Sequence, residues 1–473
     1  MFLPKKVDTQ NNRRNYTFIL VVAFLISCFL SSSAFAQVSW TGAGDGTTWE
    51  DAGNWSTNIV PGPTSDVAID ANLGGAYTIV LSSEVSVNSL TLSRFDATLD
   101  LQAGLTITTT MNQTRGTLSG NADLTINGQF SWRGGRIEGV GTTFLNGGAV
   151  ITGTGGSASN NKTLDQRRLV IPGGQTAVHA GSLLTGSNGA ILDIREGGIL
   201  DITTGANTRV MDVGDGGATI LNAGTILKTQ GTTFRITIEW DLVNSGLLSV
   251  NQVDADLQWQ GALTDQGGRY IVDAGILDLD LPASATPYVF TSDSRLLAGP
   301  GARINLGSNA GDGTETLYEL QGTVEMDGIF SVKNFSGGTA ADVTIPATAN
   351  LVSLGGELLL VGTSRGRLFV EVTDPVSVGD LTVGSIGRLE LSSPLTVTGD
   401  YTQNNASAVV ASDFDMTIQG SLAWRGGRME GLGSTIANGG VVITGTGGSA
   451  SNNKTLDQRR LVIPGGQTAV HAG

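Results

Sequence analysis

The chain has 473 residues, 68 of them glycine and only one cysteine, and a formal net charge of −15. Glycine without a Gly-X-Y period excludes collagen, and a lone cysteine excludes an internal disulfide. The acidic balance argues against nucleic acid and anionic membranes as partners, since both need clustered Lys and Arg to replace counterions.

Residues 1–36 read as a secretory leader. Lys5, Lys6, Arg13 and Arg14 precede an apolar run from Tyr16 to Leu30, and Ala34-Phe35-Ala36 places small residues at the last and third-last positions. Cleavage after Ala36 is the favoured reading. Leu25-Ile26-Ser27-Cys28 also fits a lipobox, which makes a lipid anchor at Cys28 the alternative. The apolar run is too short for a spanning helix, so no transmembrane span is expected in the mature chain. The leader holds four positive charges and one negative, and its removal takes the net charge from −15 to −18.

Residues 37–84 combine first strands with a tryptophan-rich cap. Trp40, Trp49 and Trp55 fall within sixteen residues, against four tryptophans in the rest of the chain. Bulky rings covering the open end of a coil are one reading of that density. A sugar-stacking face is the other, and Trp132 and Trp424 join these three as candidate ligand-binding residues.

Downstream, short apolar runs are punctuated by Gly or Asn-X-Gly. In Ala190-Ile191-Leu192-Asp193-Ile194, Gly198-Ile199-Leu200-Asp201-Ile202 and Gly275-Ile276-Leu277-Asp278-Leu279-Asp280, apolar residues two apart share one face and Asp falls on the other. Asn222-Ala223-Gly224-Thr225 recurs as Asn244-Ser245-Gly246-Leu247, an offset of 22 residues. A repeat of that length is one rung of a parallel β-solenoid, in which stacked rungs bury a continuous core. The expected fold is therefore all-β, a right-handed parallel β-helix. A string of β-sandwiches is the competing architecture. Gly356-Glu357-Leu358-Leu359-Leu360-Val361 does not alternate and is expected to be buried on both faces. The proline-bearing stretch Leu281–Ala349 is expected to be a bulged or looped-out portion of the coil rather than a separate domain.

Residues 128–181 and 420–473 are near copies, identical at 45 of 54 positions and perfectly so from Val150 to Gly181 against Val442 to Gly473. Flanking sequence aligns Val85–Leu92 with Val376–Val383. This defines a first long unit, 85–375, and the start of a second, truncated one, 376–473. At about 22 residues per rung, a unit of about 290 residues holds on the order of 13 rungs.

The duplicated block also carries the candidate chemistry. Trp132, Arg133, Arg136, Glu138, Lys162, Asp165, Arg167, Arg168 and His179 recur as Trp424, Arg425, Arg428, Glu430, Lys454, Asp457, Arg459, Arg460 and His471. A glycosidase would need two carboxyl groups about 5–9 Å apart, and Glu138 and Asp165 are spaced so that neighbouring rungs bring them together. A lyase would use Lys162, Arg167 or Arg168 as the proton-abstracting group. The plainer reading is solvated charges and salt bridges laddered along adjacent rungs; under either reading alanine at Lys162, Arg167 and Arg168 is expected to leave folding intact. Asp254-x-Asp256, Asp278-x-Asp280 and Asp413-x-Asp415 would gather Ca²⁺ if stacked, but alternating strands place such pairs on their wet face. No cofactor motif, zinc spacing or phosphate loop is present.

Trp40-x-Gly42, Trp49, Asn54-Trp55, Pro61-Gly62-Pro63 and Asp66-Val67-Ala68-Ile69 resemble the opening of large secreted bacterial proteins that continue into autotransporter- or haemagglutinin-like β-solenoid repeats. Trp132-Arg133-Gly134-Gly135, Lys162-Thr163-Leu164-Asp165 and Asn222-Ala223-Gly224-Thr225 resemble motifs of those repeats. The resemblance implies an adhesin-like role at the cell surface or after secretion, with glycans or neighbouring cell surfaces as partners. It implies no catalytic residues. A secreted structural and adhesive stalk is the expected function, and a polysaccharide-active lyase or glycosidase the alternative.

Overall fold

The computed structural model describes residues 37–472, apart from 154–160, 182, 205–207, 231–234, 310–314, 333–340, 362–365, 385 and 446–452. The leader and Cys28 lie outside the described residues.

Short strands joined by glycine-rich corners wind into a parallel β-solenoid with three strands per turn. Among the described residues every pairing between named strands is parallel, and the only helical turn is the 3-10 segment Ala52–Asn54. The first duplicated block shows the cycle. Gln129–Trp132 lies on the first face, Gly135–Glu138 on the second and Thr142–Leu145 on the third, and Ala149–Ile151 returns to pair with Gln129–Trp132.

Alternation sends every second side chain inward, where it meets its register partner from the next turn. On the first face one inward column runs Gln113, Trp132, Ile151, His179, Ile202, Lys228 and Val250, each in direct register with the next. Ladder pairing satisfies the backbone, and stacking excludes water from the column. The offset between Asn222 and Asn244 is one turn, and the two are Cα partners. Room for the largest rings comes from glycine: a Cβ on Gly186 would stand 2.4 Å from the Trp240 ring, which is fully buried.

Three expectations change. The described parts of Leu281–Ala349 stay in the coil, with strands Tyr288–Phe290, Arg295–Ala298, Arg303–Ser308, Thr316–Leu320, Thr323–Met326 and Ile329–Val332 paired turn to turn. Proline there occupies corners, where no ladder hydrogen bond is lost. Glu357–Leu360 alternates, with Leu358 and Leu360 inside and Glu357 and Leu359 half-buried.

The third change concerns the repeat. The second face pairs strand to strand from Gly135–Glu138 through twelve steps to Leu422, Ala423 and Trp424, with one register shift between Arg209 and Met211. The residues that Leu422–Trp424 copy are Phe130–Trp132, which lie on the first face. One unit therefore advances twelve turns and one further strand, not thirteen rungs, and the second copy sits one face round from the first.

Candidate functional site

The duplicated block brings Glu138 and Asp165 together as expected: they are Cα partners on adjacent turns of the second face. Arg136, outward on the same strand as Glu138, puts Nε on Glu138 and its terminal nitrogen on Asp165. Both carboxylates are thus committed to one guanidinium, and Asn188 Nδ2 donates a further bond of 2.8 Å to Asp165. Arg168 makes the same kind of outer ladder with Asp193, at 2.8 Å, which Arg195 also contacts at 3.3 Å. In the second copy Glu430 takes Arg388 at 2.9 Å and Arg428 at 3.5 Å.

Arg167 and Lys162 correct the expectation of solvated charge, because both are fully buried. Gln166 holds φ at +61°, a left-handed turn that drives Arg167 into the coil between the second and third faces. Its Nε donates to Thr143 Oγ1 at 2.9 Å, and its terminal nitrogens donate to the carbonyls of Gly120 and Ala122 at 2.9 and 2.8 Å, with weaker bonds to Glu138 and Thr142. One side chain thereby ties three successive turns. Arg459 repeats the arrangement, bonding Thr435 Oγ1 at 2.8 Å and the carbonyls of Ser412, Phe414 and Ser434, behind Gln458 at φ +58°. Burial pushes the Arg167 guanidinium down to about 10 and the Lys162 ammonium down to about 8. His179 is fully buried between Ile151 and Ile202; burial first, and the Lys162 charge second, push it down to about 4. Among the described residues neither ring nitrogen finds a hydrogen-bond partner. Its copy, His471, is exposed in the last described turn.

The tryptophans proposed as sugar platforms point inward. Trp40, Trp49, Trp55, Trp132 and Trp424 are between 0% and 4% exposed, which leaves no ring face open for stacking. Trp55 packs edge-on against Trp40 and Trp49 at 5.0 and 4.7 Å, and donates its ring N–H to the Trp49 carbonyl at 2.7 Å. Asp45 pins the loop around them, accepting from Thr47 N, Thr48 N and Asn54 Nδ2 at 2.7–2.8 Å. Hydrogen bonds from Thr48, Thr47 and Asn54 hold its carboxyl well below the usual carboxylate range.

The Asp-x-Asp pairs also depart from expectation. Only Asp278 and Asp280 share a strand face, and that face is covered, leaving them 1% and 3% exposed. Arg235 pairs with Asp278 at 3.0 Å, and Gln258 donates to Asp280 at 2.9 Å. Asp254 lies at a turn with φ +66°, while Asp413 and Asp415 accept the backbone N–H groups of Leu432 and Ser434. Among the described residues no group of three or more His, Cys, Asp or Glu is placed to hold a metal.

Two surface grooves of about 460 Å³ each remain. One is acidic, lined by Glu371, Glu390, Asp413, Glu430 and Asp457. The other joins Phe95, Arg115 and Thr117 to Arg136, Asn161 and Thr163 of the duplicated block. The sequence reading missed Phe95 and Arg115. Their only signal was an aromatic-basic pair, Arg94-Phe95, and an arginine one turn on.

No family model matches the chain, and no curated protein does. Among solved structures, the crystal structure of a TibC-catalysed, hyper-glycosylated TibA fragment is similar at 14% identity and a TM-score of 0.16, over 84% of this chain and 97% of that chain. A likeness that slight carries no argument about this chain.

Proposed function

We propose that the chain is a secreted or cell-surface structural and adhesive β-solenoid, a stiff stalk that presents the duplicated block on two adjacent sides. The observation that carries this reading is the second-face ladder, which misses no turn: twelve turns at about 4.8 Å per turn give a rise of roughly 58 Å. A coil whose core and backbone pairing continue from turn to turn resists bending, which suits reach. In this reading residues 1–36 export the protein, and the packed indoles of Trp40, Trp49 and Trp55 close the first turn against water. The buried Arg167 and Lys162 and the clamped Glu138–Asp165 pair serve the scaffold rather than turnover, because a proton-transfer group must reach its substrate.

The test uses residues 37–473 on beads and in solution. Beads coated with the protein should retain bacterial or host cells above a coat of unrelated β-rich protein, while acidic and neutral polysaccharides incubated with it release no soluble ends. Sustained release that disappears in Glu138→Gln would replace this reading with that of a polysaccharide-active enzyme.

A further inference from the structure

We propose that the groove between Phe95 and Arg136 binds a uronate-bearing saccharide, the ring of Phe95 supplying the stacking face and Arg115 the charge that meets the carboxylate. The proposal rests on the adhesive reading and names the class of partner for it.

Phe95 is 65% exposed. It is nonetheless held. The Arg94 guanidinium lies 4.6 Å from the ring centroid, and Arg94 is fixed by two bonds to Asp96, at 2.5 and 2.8 Å, and one to Asn72 at 2.9 Å. The same ring lines the groove. Immobilising a platform before the ligand arrives lowers the entropy cost of binding.

The floor is a register row along the coil. Thr117 pairs with Arg136 and Arg136 with Thr163, so three outward side chains follow one another over about 10 Å. Hydroxyl and amide groups of Thr117, Thr163 and Asn161 suit sugar hydroxyls. Arg136 has already given its charge to Glu138 and Asp165. Arg115 is exposed and makes no ion pair among the described residues, and neither does the exposed Arg133 at the next corner. In a chain of net charge −15, a corner with uncommitted guanidinium groups beside an open ring is locally suited to an anion. A guanidinium fork matches a carboxylate in plane and in spacing. Single-stranded nucleic acid also stacks on rings, but the overall charge opposes it.

The molecule carries its own comparison. Gly427, Arg428, Asn453 and Thr455 copy Gly135, Arg136, Asn161 and Thr163, yet the preceding turn has Ser407 and Ala408 where the groove has Arg115 and Gly116. The second copy should therefore bind nothing of this kind.

Calorimetric titration of residues 37–473 with galacturonate and glucuronate trisaccharides should show one site per chain, weakened as salt rises. Phe95→Ala and Arg115→Gln should each reduce affinity at least tenfold, and a neutral galactose trisaccharide should bind at least tenfold more weakly. Both side chains are exposed, so thermal unfolding should be unchanged. The groove is overturned if neither uronate binds, if the neutral sugar binds equally, if both variants bind as wild type does, or if an oligo-dT strand binds more tightly. Adhesion that fails in the wild-type bead assay sinks the adhesive reading itself. Adhesion that persists while both variants bind uronates normally sinks the groove alone.

Discussion

Trp132 and Trp424 occupy the same place in two copies of one sequence, yet they line adjacent faces of the coil. Each stacks in register on a buried glutamine, Gln113 or Gln403, and on an isoleucine, Ile151 or Ile443. The local environment is reproduced while the absolute phase is not, because a coil of three near-equivalent faces fixes only the order of strands. Duplicated surface residues are thus displayed in two directions from one axis. In residues 37–473, which lack Cys28, nitroxide labels at Arg133→Cys and Arg425→Cys, both exposed, should give a mean separation of about 60 Å by pulsed electron resonance. A separation below about 45 Å would mean that the ladder is bent or interrupted.

Arg167 behaves in this structure as a core residue. Arg167→Met keeps most of the volume but leaves carbonyls of Gly120 and Ala122 without their donor inside the coil. The expected loss is about 2–4 kcal/mol, read as a lowered urea midpoint. Arg459→Met should lose less, because the turns beyond it are exposed and the end of a stacked array frays first. Equal, negligible effects at both sites would remove the case for a structural role.

The coil was legible because its signals are local and periodic: alternation in Ala190–Ile194, the recurrence of Asn222-Ala223-Gly224 22 residues on, and glycine at corners. The pairing of Glu138 with Asp165 followed from the same spacing. Side-chain direction was not legible for the residues that mattered most. Lys162, Arg167 and His179 look like surface chemistry because charged groups ordinarily stay in water, and only the positive φ of Gln166 and the register of His179 with Ile151 put them within. The tryptophans left two readings open, since composition alone does not tell a buried ring from one that awaits a sugar. The one-face shift needed a count of every turn, including those lengthened by corner insertions.

Acid should loosen the coil through His179. Its pKa when folded, about 4, lies below the usual value near 6.5, so between those limits the unfolded chain binds more protons. Stability is fully present above about pH 6.5 and is lost as pH falls through 4, by up to about 3 kcal/mol for this one group. Carboxylates titrate over part of the same range, so the measurement is a difference. His179→Leu, which suits the column between Ile151 and Ile202, should flatten the pH dependence of the unfolding midpoint between 6.5 and 4 relative to wild type. Parallel profiles for the two proteins would show that His179 takes up its proton without opening the coil.

Gly186 tests the packing argument at one inward position of the second face. Its neighbours on the second face carry side chains, and glycine here leaves the space that the Trp240 ring fills; that ring also donates to the Asp212 carbonyl at 2.8 Å. Gly186→Ala would place a methyl group 2.4 Å from two side-chain atoms, Ala218 Cβ and a Trp240 ring carbon, so one of them must move. Overpacking of this kind costs about 1–3 kcal/mol. Pairing the change with Trp240→Phe, which shortens the ring and gives up its hydrogen bond, should recover part of the loss. The double variant should therefore be more stable than the two single effects would add to. Simple additivity would mean that the alanine methyl and the indole do not compete for the same space, and the glycine would then need another reason.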